Sequence, residues 1–280
     1  MFSLPEGRPA LMGILNLTPD SFSDGGRYPD LESAVGAGLS MMEAGADLID
    51  VGGESTRPGA EAVSAEEELR RTMRVVERLA ADAVPVSIDT RKPLIARAAL
   101  QAGAVVVNDV GGFRDPEMIA ACAETDCSVC VMHMRGDPTT MQSDPRYENV
   151  AEEVLAWLLQ QAKLCQEGGI SKNRIWIDPG FGFGKTVEHN LVLLASLRGF
   201  VESGYPVLAG LSRKSFIGKV GSSAAPLEIK DRLAGTLAAQ TLAQASGVKI
   251  IRTHDVREAK WAADLAAEVL RLASSSSARS

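Results

Sequence analysis

Eight short apolar runs, each separated from the next by enough chain for a helix, constrain this 280-residue sequence more than any other feature. They are LMGILN ending at Asn16, DLIDVGGES at Glu54, PVSIDT at Asp89, AVVVND at Asn108, SVCVMH at His133, RIWIDPG at Asp178, PVLAGLSRK at Lys214, and KIIRTH at Arg252 and His254. Strands buried on both faces read as unbroken Val/Ile/Leu stretches. Eight strand-helix units in succession predict an α/β protein of the (β/α)₈, or TIM, barrel class, in one domain. Chemistry in such barrels sits at the carboxyl ends of the strands, so the polar run ends are the candidate site residues.

Apolar residues at spacings of three and four place helices at Leu31–Ala44, Glu66–Ala81, Pro93–Ala102, Pro116–Thr125, Tyr147–Glu167, Val187–Leu197, Leu227–Ser246 and Val256–Ala273. EAGADLIDVGG and QAGAVVVNDVGG echo one another, as a repeated helix-strand unit would. Residues 1–273 are expected to form the barrel domain and the serine-rich tail 274–280 to be disordered. The start of the chain leaves room only for a short closure of the barrel floor.

A composition of 45% hydrophobic residues suffices for one large core, and no run reaches the roughly 18 residues of a membrane span. A cytoplasmic protein is expected. The net charge of −7 opposes a nucleic-acid partner. Within that acidic chain, Arg57, Lys214, Arg252 and His254 all fall at strand ends, which points to a small anionic ligand. The string Cys127, Cys130, His133 imitates a zinc motif, but residues three apart on a strand face opposite ways. G-F-G-K-T (182–186) imitates the end of a phosphate loop; the full pattern needs Gly where Pro179 stands. His189, inside an expected helix, reads as a packing or surface residue. Long Gly/Pro/Ser/Asp-rich connections at 17–30 and 55–64 read as mobile covers over the barrel mouth.

The motifs MGILNLTPDSFSDGG, DVGGESTRPG, SIDT, NDVGG, MHMRGDPTTMQ, DPGFGFGK, LSRKSFIG and RTHDV, in this order from about residue 11 to 256, resemble the dihydropteroate synthase family of pterin-binding barrels. The resemblance implies condensation of 6-hydroxymethyl-7,8-dihydropterin diphosphate with p-aminobenzoate, giving 7,8-dihydropteroate and pyrophosphate. It implies that Asp178, Asn108, Lys214 and Asp89 bind the pterin, with Met132 and Phe183 lining the pockets. It further implies that Arg252 and His254 grip the diphosphate and that Asn16 serves a Mg²⁺ ion carried mainly by that diphosphate. Thr18, Phe22, Thr56, Arg57, Pro58 and Ser215 would contribute to substrate binding, and Asp24 or Asp89 would stabilise the cation and the incoming amine. A homodimer is the family expectation. Two other readings use the same residues: a pterin-dependent methyltransferase, which has no use for a diphosphate site, and a Schiff-base aldolase with Lys214 as nucleophile.

Overall fold

The computed structural model describes residues 1–18, 30–55, 62–137, 140–220 and 225–277. In chain order the elements are β1 (Ala10–Asn16), α1 (Leu31–Glu43), β2 (Leu48–Gly52), α2 (Ala65–Ala81), β3 (Val86–Asp89), α3 (Pro93–Gln101), β4 (Val106–Asp109) and α4 (Pro116–Ala123). There follow β5 (Ser128–Met132), α5 (Val150–Glu167), β6 (Ile175–Asp178), α6 (Val187–Ala195), α7 (Leu197–Glu202), β7 (Leu208–Ala209), α8 (Ser215–Lys219), α9 (Leu233–Ala245), β8 (Ile250–Thr253) and α10 (Val256–Ser277). The strands pair in parallel in the order β6-β5-β4-β3-β2-β1-β8-β7, and a bridge between Ile177 and Val207 joins the two ends. The eight expected strands thus form a ring with helices outside it.

The two faces of each strand have different fates. Ile49, Val51, Ile88, Val107, Val129 and Ile177 point outward into the large core beneath the helices. Met12, Leu48, Val106, Cys130, Trp176 and Ile250 point inward and fill the lower barrel, where Phe2 and Leu4 pack against them. Phe2 meets Trp176 edge to face with ring centroids 6.0 Å apart at the floor of the barrel. Two positions further along the same inner face stand Asp50, Asn108, Met132, Asp178 and Arg252. Because side chains alternate with period two, the barrel lining changes from apolar to polar within about 7 Å of strand rise.

Several element ends depart from expectation. Asn149 caps α5, its side chain accepting from Glu152 N at 3.3 Å, so the helix starts three residues after Tyr147. Arg232 holds the carbonyls of Leu227 and Arg213, which keeps the chain before α9 out of the helix that Leu227 was expected to open. α10 runs on past residue 273 to Ser277, with the hydroxyls of Ser274 and Ser275 both bonded to the Arg271 carbonyl at 2.9 Å, and residues 278–280 lie outside the described residues. Among the described residues no helix is long and apolar enough to cross a membrane.

Candidate active site

At the carboxyl ends of β2, β3, β4 and β8 a buried charge cluster crosses the barrel. Arg252 donates from Nε to Asp50 Oδ2 at 2.6 Å and from an Nη2 hydrogen to Asp89 Oδ2 at 2.7 Å. Asn108 Nδ2 donates to the same Asp50 oxygen at 3.1 Å. Strand register explains the meeting, since Asp89 lies opposite both Gly52 and Asn108. Burial lifts the Asp89 carboxyl to about 7, with the Asp50 charge adding to the effect and Arg252 opposing it. Burial works against the Arg252 guanidinium, but the two carboxylates outweigh it and hold its pKa above the ordinary value.

On another strand of the same barrel, Asp178 ends β6. Its Oδ1 accepts from the Gly180 N–H at 2.7 Å, and burial raises its pKa despite that bond and the nearby Lys214. Lys214 Nζ lies 4.3 Å from the centre of the Phe183 ring, a cation–π contact. The turn that brings Lys214 there passes through Arg213 at φ +57°, a left-handed conformation rarely adopted outside glycine, held by the Arg213–Asp255 ion pair and by Arg213 N donating to Thr236 Oγ1. Burial raises Cys130 well above the usual thiol range, and Asp178, Asp50 and Asp89 push it further while Arg252 opposes them.

The other expected residues have varied positions. Met132 and Phe183 share a small apolar cluster with Val110, Met134 and Met141, forming one wall. His254 turns to Ser212, with Nδ1 3.0 Å from the hydroxyl. Ser215 is exposed at the start of α8, and Thr18 is buried just beyond β1. Asp24, Phe22, Thr56, Arg57 and Pro58 lie outside the described residues, as does most of both long connections.

Two run ends serve the scaffold instead. Glu54 pairs with Arg91 at 2.8 Å and Lys92 at 2.5 Å, tying the β2 and β3 ends together. His133 turns toward Lys185. His189 joins a capping box with Thr186 at the start of α6. Cys127 faces the Cys122 carbonyl and Cys130 the barrel interior, so the zinc-like string is dispersed.

Asp50 is the site residue that the motif reading missed. The sequence echo aligns it with Asp109, yet Asp109 bonds the Gly111 and Phe113 N–H groups of its own turn. Strand alternation gives the better guide: Leu48, Asp50 and Gly52 share the inner face, as do Val106 and Asn108.

Asn16, the residue expected to serve a magnesium ion, ends β1 beside Gly52 and Asp89. A Cβ on Gly52 would lie 3.6 Å from Asn16 Oδ1 and 3.7 Å from Asp89 Oδ2, so the missing side chain leaves a cradle with oxygen on two sides. Among the described residues no group of three or more His, Cys, Asp or Glu side chains is arranged to hold a metal.

The pterin binding enzyme family matches residues 12–254. The dihydropteroate synthase of Escherichia coli strain K12 is 48% identical over 260 residues, covering 91% of this chain and 90% of that protein. Xanthomonas albilineans dihydropteroate synthase with 4-aminobenzoic acid superposes with a TM-score of 0.86 at 47% identity, covering 94% of this chain and 93% of that one. Its complex with 7,8-dihydropteroate gives 0.83 at 44% identity, covering 94% of each chain. The Yersinia pestis enzyme in a sulfonamide complex gives 0.89 at 42% identity, covering 96% of this chain and 97% of that one. The eight-stranded barrel, the family match and this span of identity lead to one assignment: the chain belongs to the dihydropteroate synthase family of pterin binding enzymes.

Proposed function

We propose that the chain joins p-aminobenzoate to 6-hydroxymethyl-7,8-dihydropterin diphosphate, releasing pyrophosphate and forming 7,8-dihydropteroate in folate biosynthesis. The observation that supports this reading is that Asp89, Asn108, Asp178 and Arg252 all stand at or near the carboxyl ends of parallel barrel strands, with Lys214 near enough to Asp178 to lower its pKa.

A dihydropterin presents an exocyclic amine beside a ring N–H, two parallel donors that the Asp178 carboxylate accepts. Lys214 donates to the pterin carbonyl and a ring nitrogen, Asn108 to the mixed edge, and Asp89 accepts from ring N–H groups nearer the reacting carbon. Each hydrogen bond to a charged group contributes about 1.5–3 kcal/mol, and a ring lacking the matching donor leaves a buried carboxylate unpaired. As the bond from the methylene carbon to the diphosphate oxygen breaks, electrons from the dihydropterin ring stabilise the cation. The aminobenzoate nitrogen then forms the new C–N bond and loses a proton. No protein nucleophile is required. Arg252 has five N–H donors. Asp50 and Asp89 engage two of its nitrogens, and the remaining donors, with His254, hold the departing diphosphate. Asp24 or Asp89 stabilises the cation and incoming amine.

Asn16 would hold the diphosphate-borne Mg²⁺, which when bound supplies positive charge to the leaving oxygens. Phe22, Thr18, Thr56, Arg57, Pro58 and Ser215 complete the aminobenzoate side. The enzyme works in the cytoplasm on small molecules as a homodimer, an assembly supported by the exposed stripe of Trp261, Leu265, Val269 and Leu272 along α10.

The test is pyrophosphate release that requires both substrates and stops when Mg²⁺ is omitted. Release with the pterin alone, or none with both, overturns the reading. The aldolase alternative is disfavoured by the place of Lys214: a nearby aromatic face stabilises the ammonium, whereas a Schiff-base nucleophile needs the free amine.

A further inference from the structure

Lys185 of the G-F-G-K-T stretch has no part in the reaction above, and it is buried, with 4% of the residue exposed. Three acceptors stand 3.0 Å from Lys185 Nζ: His133 Nδ1 and the carbonyls of Gly180 and Phe183; the His133 carbonyl is further off at 3.5 Å. An ammonium has three N–H groups, and the three nearer acceptors account for all of them.

The two carbonyls belong to the turn that places functional groups. From it the Gly180 N–H reaches Asp178 Oδ1 at 2.7 Å, and the Phe183 ring lies 4.3 Å from Lys214 Nζ. His133 ends the neighbouring strand, its own N–H donating to the Asp178 carbonyl at 2.9 Å. The turn is pressed against that strand: Gly180 has φ +69°, and a Cβ there would sit 1.9 Å from the His133 carbonyl oxygen. Trp157 fixes the imidazole edge-on at 5.1 Å between ring centres. Burial lowers His133 to about 2, so the ring is neutral and leaves one nitrogen lone pair for a donor. Burial also lowers Lys185, to about 7, against the pull of Asp178. A neutral amine would offer only two N–H groups and would need a hydrogen on His133 Nδ1, so the imidazole tautomer reports which form is present.

We propose that Lys185 is a positioning residue whose ammonium fastens the Gly180–Phe183 turn to the end of β5, setting Phe183 and the Gly180 N–H in the geometry that the substrates require. The kinetic part of the test rests on the condensation proposed above; the spectroscopic part does not.

In full-length protein selectively ¹⁵N-labelled at histidine, His133 is expected to show an unprotonated Nδ1, a protonated Nε2 and no titration down to about pH 5. Lys185→Met is expected to change that signature and to lower kcat/KM by about tenfold, the scale of one lost charged hydrogen bond. Should that variant not fold, a second pair decides: His133→Leu removes the acceptor and is expected to lose about three- to tenfold, while His133→Gln supplies an amide oxygen and restores activity to within about threefold of wild type. A proton on His133 Nδ1 in the wild type, or equal kinetics in the Leu and Gln variants, overturns the proposal. If the wild type releases no pyrophosphate, the condensation reading fails while the tautomer still decides the role of Lys185.

Discussion

Asp50→Asn tests the charge cluster without changing its shape. One oxygen of this fully buried carboxylate accepts from both Arg252 and Asn108, and the other, Oδ1, has no hydrogen-bond partner among the described residues. The amide keeps a single acceptor oxygen and removes the charge. A charged hydrogen bond contributes about 1.5–3 kcal/mol, and Asp89 still holds one arm of Arg252. We therefore expect the lower end of that range, about a tenfold loss in kcat/KM for the pterin diphosphate. Stability should change little, because removing one of two carboxylates beside one arginine takes the local formal charge from −1 to zero. The same change shifts a titration. Asp50 helps to raise Asp89, so without it the Asp89 carboxyl should ionise at lower pH. Steady-state kinetics across pH 5–9 with a parallel melting curve provide the assay, and an unaltered kcat/KM together with an unmoved acid limb would refute the reasoning.

Further outcomes follow from other parts of the molecule. In the wild type, kcat/KM should rise with pH through about 7 as Asp89 becomes an acceptor, and Asp89→Asn should lack that limb. Because the folded state binds this proton more tightly than the unfolded one, the wild type should lose stability relative to Asp89→Asn as pH rises from about 4 to 7, measured by denaturant midpoint. Asn16→Ala should raise the Mg²⁺ concentration for half-maximal activity about tenfold, while calorimetry shows unchanged binding of 7,8-dihydropteroate, which has no diphosphate. Arg174 is buried and donates to the Cys127 and Cys122 carbonyls at 2.7 Å each, so Arg174→Met should lower the melting temperature by roughly 5–10 °C. Leu265→Glu on the exposed face of α10 should shift sedimentation from dimer to monomer, and a monomeric wild type would remove the dimer from the reading.

The chain dictated the barrel because its evidence is local. A strand buried on both faces must be apolar along its length, and eight such runs with helices between them leave little architectural choice. The residue that ends each run was equally visible, so Asp89, Asn108, Asp178, Lys214 and Arg252 could be named without coordinates. Partners were not visible. Asp50 and Arg252 are 202 residues apart, and only closure of the ring places the end of β8 across from β2 and β3. The same closure gave two of the polar ends protein partners: Glu54 went to Lys92 and Arg91, and His133 went to Lys185. Sequence alternation says which face of a strand a side chain takes, but a hydrogen bond or ion pair forms between groups that the folded backbone brings within about 3 Å, and that distance belongs to the tertiary structure alone.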